Sequence, residues 1–283
     1  MTHNTQSQRH LERMSIINAW DALADGYNAY VTPKNAPLAE TALGFIDLRP
    51  GTRFLDVAAG SGALSLAAAR RGAEVLGIDI SPAMIAGLND NARREGLANL
   101  SGKVMDGHNL ELDDNAFDAS GSMFGVMLFP DFPRGLGEMA RVTRPGGNVL
   151  VVTFGPPPNV EFLQFFLGAV KRVVPEFGGL PMDPPPLPFQ VADPEKLGRV
   201  MRDAGLDDVR VETISAPQEY RSADELWTWM ANSNPIGAQL TGHLPPKVAG
   251  RVREVLDDMI RERSGGDGPA TLTNAVNIAV GIA

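Results

Sequence analysis

Three aspartates sit where an apolar run gives way to small residues. They are Asp56 in Phe54-Leu55-Asp56-Val57-Ala58-Ala59-Gly60-Ser61-Gly62, Asp79 in Gly77-Ile78-Asp79-Ile80-Ser81, and Asp106 in Val104-Met105-Asp106-Gly107-His108. A carboxylate inside an apolar strand is costly unless something pairs with it. Asp56 suits a ligand with a cationic amine and would repel a pyrophosphate. Asp79 follows about where an acid grips two ribose hydroxyls in doubly wound folds. Asp106 can accept from an exocyclic adenine amine. The turn 58–62 is built of small residues that let the backbone approach a ligand. The helix expected from about Ala63 offers free N–H groups and a partial positive charge to a carboxylate or phosphate.

Other chemistries fit less well. The dinucleotide turn G-x-G-x-x-G has Ser65 at its third glycine place, and the Gly-Lys-Ser/Thr of a P-loop is absent. With no cysteine there is no disulfide, thiolate metal site or thiol nucleophile. The four histidines (His3, His10, His108, His243) show no metal-ligand spacing.

These residues must be positioned by alternating strands and helices. Strands are predicted at 53–58, 74–79, 103–106, 117–124 and 148–154, with helical patterns between them, the signature of a parallel sheet. Ser81-Pro82 caps one helix and Gly96 closes it, while Arg144-Pro145-Gly146-Gly147 reads as a turn. Val209 to Ile214 and the one-parity run Leu272, Val276, Ile278, Val280 and Ile282 read as two late strands. The fold class is therefore α/β, a doubly wound seven-stranded and mostly parallel sheet with an inserted helical lid, its last strand antiparallel. The expected division is 1–40 cap helices, 41–155 core, 156–192 a first lid insertion, 193–215 a core helix and strand, 216–268 a helical lid insertion, and 269–283 the final strand. Insertions at carboxyl ends of strands fall where open α/β sheets bind ligands.

Amine, carboxylate, ribose and adenine together describe S-adenosylmethionine. The motifs "FLDVAAGSG", "GIDISPAMI", "KVMDGHNLEL", "FDASGSMFGVMLFPD" and "EMARVTRPGGNVLVVTF", in this order, resemble those of class I S-adenosylmethionine-dependent methyltransferases, in the branch with quinone-biosynthesis and other small-molecule enzymes. The likeness covers about Trp20 to Phe154 well and the lid hardly at all. It implies that the turn from Asp56 through Ala58, Gly60 and Gly62 holds the methionine end and Asp79 the ribose. Ile80 and Met84 would sandwich adenine, Asp106 and the Gly107 backbone would read its edge, and Met123 and Phe124 would flank the sulfonium. Ala58 departs from the usual glycine, and is expected to keep a negative φ.

For an acceptor the sequence offers Tyr27, Phe162, Phe166, Trp227 and Met230, since ligand sites are mostly apolar. His243 and Tyr27 are the candidate catalytic groups, though proximity can serve without a base. His108, a loop histidine with no evident partner, reads as a surface group. Ile16, Trp20, Leu23, Tyr27 and Tyr30 form a helical stripe. The expected activity is methyl transfer to oxygen, nitrogen or carbon of a small, largely apolar, aromatic or polyketide-like acceptor, leaving S-adenosylhomocysteine. The alternatives are a protein of this fold that binds the cofactor without transferring methyl, as a cyclase or binding module, and a nicotinamide-dependent oxidoreductase. A net charge of -9 without a basic block argues against nucleic acid. With no long apolar run and no leader, a cytoplasmic protein is expected, with a homodimer as an allowed assembly.

Overall fold

The computed structural model describes residues 2–181, 183–266 and 268–283, with the side chains of 2–10 and 12 outside the description. The chain opens with α1 (Thr2–Asp21), a short α2 (Ala24–Gly26), a π-helical turn (Tyr27–Val31) and α3 (Thr32–Leu43). The core follows as β1 (Arg53–Val57), α4 (Ala63–Arg70), β2 (Glu74–Asp79), α5 (Pro82–Glu95), β3 (Leu100–Val104), β4 (Phe117–Met123), α6 (Phe132–Val142) and β5 (Thr143–Phe154). After α7 (Glu161–Val173) and α8 (Pro194–Asp203) comes β6 (Asp207–Tyr220), then α9 (Ala223–Ser233), α10 (Pro235–Gly242), α11 (Pro246–Ser264) and β7 (Ala270–Ile282).

The strands form one seven-stranded sheet in the order β3-β2-β1-β4-β5-β7-β6. Pairing is parallel from β3 through β5, and β7 runs antiparallel to both β5 and β6. Successive strand residues face opposite sides. Leu55 and Val57 accordingly join one apolar cluster and Phe54 the other, as do Val149 and Val151 against Leu150 and Val152. Both faces are covered by helices, which is why these strands read as continuous apolar runs.

Local chemistry sets the helix ends. Ser81 Oγ accepts from Met84 N at 3.1 Å, Pro82 opens α5, and Gly96 closes it at φ 69°. Three strand boundaries differ from expectation. β3 is an edge strand and ends at Val104, so Asp106 lies past it; with one neighbour, it needs no alternating apolar face. The residues Arg144 to Gly147 do not precede β5 but bulge within it, because Thr143 pairs Phe117 while Asn148 pairs Ala119. β6 extends to Tyr220 through Pro217, which an edge strand tolerates.

The lid is not a separate core. Phe162, Phe166, Trp227 and Met230 belong to the same apolar cluster as Leu55 and Val151 of the sheet. No described helix is long and apolar enough to cross a membrane.

Candidate functional site

A cavity of about 630 Å³ opens at the carboxyl ends of β1, β2 and β4. Of the sequence-predicted residues, Ala58, Gly60, Asp79, Ile80 and Met84 lie on its wall. So do Asp106, Gly107, Met123, Phe124 and Tyr27.

The turn after β1 is held tightly. Ala59 N donates to Ile78 O at 2.8 Å and Gly62 N to Ala59 O at 3.0 Å. Ala58 adopts φ 55°, not the negative φ expected for alanine. The left-handed region is disfavoured for alanine by about 1–2 kcal/mol, so the fold must impose it. Room for the methyl comes from the adjoining loop after β4: a Cβ added at Gly125 would lie 2.6 Å from the Ala58 Cβ and 2.8 Å from its carbonyl oxygen. Phe124, beside that glycine, is itself at φ 56° and stacks on Phe154 with ring centres 4.5 Å apart. Two strained non-glycine residues thus meet where β1 and β4 end.

Asp79 is buried yet on the wall. Its Oδ2 accepts from Gly60 N and its Oδ1 from Ser81 N, both at 2.9 Å. Burial pushes its carboxyl up to about 6 against those backbone donors. A carboxylate has about four lone-pair sites, and with the Ile80 N–H also bearing on it at most two remain for donors in the cavity. Asp56 differs. It is 1% exposed and absent from the wall; Ser65 Oγ donates to its Oδ2 at 2.6 Å and its Oδ1 has no partner. Burial raises it to about 7. Gly62 also lies behind the wall, as the left-handed cap of α4 at φ 99°.

Asp106 is half-buried and ionised. Its Oδ1 accepts from His108 N at 2.9 Å and lies 3.1 Å from His108 Nδ1, while Arg13 Nε is 3.4 Å from Oδ2. The His108 side chain chiefly holds this carboxyl down at about 2. His108 therefore has the partner that the sequence did not reveal. It lies on the wall, stacked on Phe129 at 4.3 Å.

The amino-terminal segment closes one side. Asp21 Oδ1 accepts from Ser81 Oγ and from Ala83 N at 3.2 Å, tying the end of α1 to the start of α5. Ile16, Trp20 and Tyr27 of the predicted stripe reach the cavity, while Tyr30 is 52% exposed. Tyr27 lies over the turn, 3.1 Å from a Cβ built on Gly60. Burial, then Asp79 and Asp56, drive its phenol well above the ordinary value, so it is a neutral hydroxyl in this structure.

Besides Asp56 and Gly62, five candidates are off the wall. Phe162, Phe166, Trp227 and Met230 do not line the cavity; they are buried in the lid, Phe162 against Trp229 at 4.5 Å and Phe166 against Trp227 at 5.7 Å. Large aromatics on amphipathic helices are recruited first to the interior, where they exclude most water. His243 caps the exposed end of α10, off the wall. The lid reaches the cavity instead through Leu187 and through Asn234, Pro235 and Ile236 at the start of α10. Asn234-Pro235 is a legible cap, since Asn234 Oδ1 accepts from Gly237 N at 2.9 Å, but nothing in it points to a ligand. No group of His, Asp or Glu able to hold a metal occurs among the described residues.

Comparison with known proteins places this geometry. A family model described as a methyltransferase domain matches residues 54–147. Nocamycin O-methyltransferase of Saccharothrix syringae is 30% identical over 282 residues, covering 93% of this chain and 96% of that protein. Demethylmenaquinone methyltransferase of Thermus thermophilus is 40% identical over 130 residues, or 45% of this chain and 59% of the relative. Among solved structures, the [4+2]-cyclase SpnF superposes with a TM-score of 0.54 at 21% identity, covering 87% of this chain and 81% of that one. At that identity the likeness shows the fold alone.

Proposed function

Since the chain belongs to the class I S-adenosylmethionine-dependent methyltransferases of the small-molecule type, we infer that it methylates an oxygen of a small, largely apolar acceptor in this cavity. The observation that carries the reading is Asp79: a buried carboxylate on the cavity wall, fixed by backbone N–H groups, with acceptor capacity left for a diol. Oxygen is favoured because the relative that aligns over the lid as well as the core is named an O-methyltransferase.

The residues present fit the cofactor. Asp79 would take the ribose, Ile80 and Met84 the adenine faces, Asp106 and the Gly107 backbone its edge, and the Ala58 to Gly60 turn the methionine end. Bound there, S-adenosylmethionine would supply an electrophilic methyl carbon on a sulfonium. Tyr27 and Trp20 would exclude water from above, and Met123, Phe124, Leu187 and Ile236 would hold an acceptor in an apolar enclosure. Alignment of this kind is worth about 7–11 kcal/mol, so the chain needs no strong base for an acceptor that already presents a lone pair.

Calorimetry with S-adenosylmethionine tests the cofactor half. Wild-type protein should bind, and Asp79→Ala should bind about 100-fold more weakly, the equivalent of two charge-assisted hydrogen bonds. Binding indifferent to that change overturns the reading. Mass spectrometry across hydroxylated aromatic and polyketide-like acceptors tests the second half, through a product heavier by one methyl.

A further inference from the structure

Asp56 and Asp79 form an electrically unbalanced pair. Both carboxyls are buried and belong to adjacent parallel strands, with Asp56 opposite Gly77 and Asp79 two residues on. Among the described residues the charges that bear on them are negative: Asp79 on Asp56, and Asp21 of α1 on Asp79. The other facing groups are neutral, namely Tyr27 of the π-helical turn, Ser65 of α4 and the backbone N–H groups of Gly60 and Ser81. Asp56 Oδ1 has no donor. On α3 the buried Asn35 Oδ1, whose amide bears on Tyr27, also has none. Buried charge without a counterion is expensive, and a protein normally neutralises it.

We propose that the ligand-free protein holds a proton on these buried strand-end carboxyls, chiefly on Asp56, whose Oδ1 has no donor, and that a cation bound in the adjoining cavity expels it to solvent. The inference rests on the cofactor reading above, whose ligand brings an ammonium, a sulfonium and one carboxylate, a net positive charge of one. The carboxyl O–H breaks, the electron pair stays on oxygen, and buffer takes the proton. Geometry sets the arrangement; burial, which lifts Asp56 to about 7 and Asp79 to about 6, places the exchange near neutrality.

Calorimetry of S-adenosylmethionine binding near pH 6.5, in phosphate and in imidazole, reads the proton count from the difference in apparent enthalpy. About one proton should leave per ligand bound, falling towards none near pH 8.5. Affinity should rise up to about tenfold per pH unit below the exchange. Binding with equal apparent enthalpy in both buffers overturns the proposal and leaves the cofactor reading intact. Absence of binding at every pH removes both. Asp56→Asn should release only a fraction of the wild-type proton. Should that variant not fold, the infrared difference spectrum of wild-type protein with and without S-adenosylmethionine decides. It should lose a protonated-carboxyl C=O band on binding, and an unchanged band overturns the proposal.

Discussion

On one side of the cavity the backbone is strained and the carboxylates lack cations; on the other the helices are packed and apolar. The turn after β1 and the loop after β4 hold Ala58 and Phe124 at positive φ, and bury Asp79 and Asp56 beside them. The lid has the opposite character. Its aromatics interlock, Phe162 on Trp229 and Phe166 on Trp227, and only a few residues at helix ends touch the cavity. Strain and uncompensated charge persist only where surrounding structure over-determines them. The difference teaches that the aromatics that fill the lid and those that line the cavity are separate sets, even where both kinds look alike as side-chain types.

The sharpest way to break that comparison is Phe166→Ala. If the lid aromatics are core, truncation should cost about 3–5 kcal/mol of stability with little change in S-adenosylmethionine affinity. Denaturant unfolding and calorimetry on the same variant give both numbers. A stable variant with weakened acceptor binding would return Phe166 to the site.

The second effect belongs to the strained side. Asp56 and Asp79 have folded-state values raised above those of an unfolded chain. Between about pH 5.5 and 7.5 the folded, ligand-free protein therefore holds protons that the unfolded chain has already released. Its stability should fall as pH rises through that window, by about 2–4 kcal/mol. Carboxylates held low by partners, such as Asp106 at about 2, act only at more acid pH. Unfolding followed across the window checks the sign; stability that climbs with pH would mean that these acids are ionised and compensated.

The same contrast explains what the sequence disclosed. Asp79, Ile80 and Asp106 were legible because a carboxylate or small-residue run at a strand end has few structural explanations. The mostly parallel sheet followed from alternation of apolar runs and helices, and the presence of a late strand from the parity of Leu272 to Ile282, while the strand order itself did not. The φ of Ala58 was not legible, since the room its methyl needs there is left by Gly125, 67 positions away in sequence. Nor was the destination of the lid aromatics. Helical periodicity says that Phe166 and Trp227 are buried, not what they are buried against. His108 was undervalued because its partner Asp106 lies two residues back, a spacing that a loop can close and a helix or strand cannot.

The smallest effects test the lid's edge, where Ile236 and His243 sit at opposite ends of α10. Ile236 meets the cavity through part of an aliphatic side chain. Removing it should withdraw about 1 kcal/mol of apolar contact, raising KM for a methylated acceptor about fivefold and leaving cofactor affinity unchanged. His243 is exposed and off the wall, so His243→Ala should move stability by less than about 0.5 kcal/mol and KM not at all. Both variants belong in the same kinetic assay, because each serves as the other's control. A response at His243 with silence at Ile236 would mean that the acceptor enters over the far end of α10, and that the lid's apolar interior, not its edge, faces the reacting carbon.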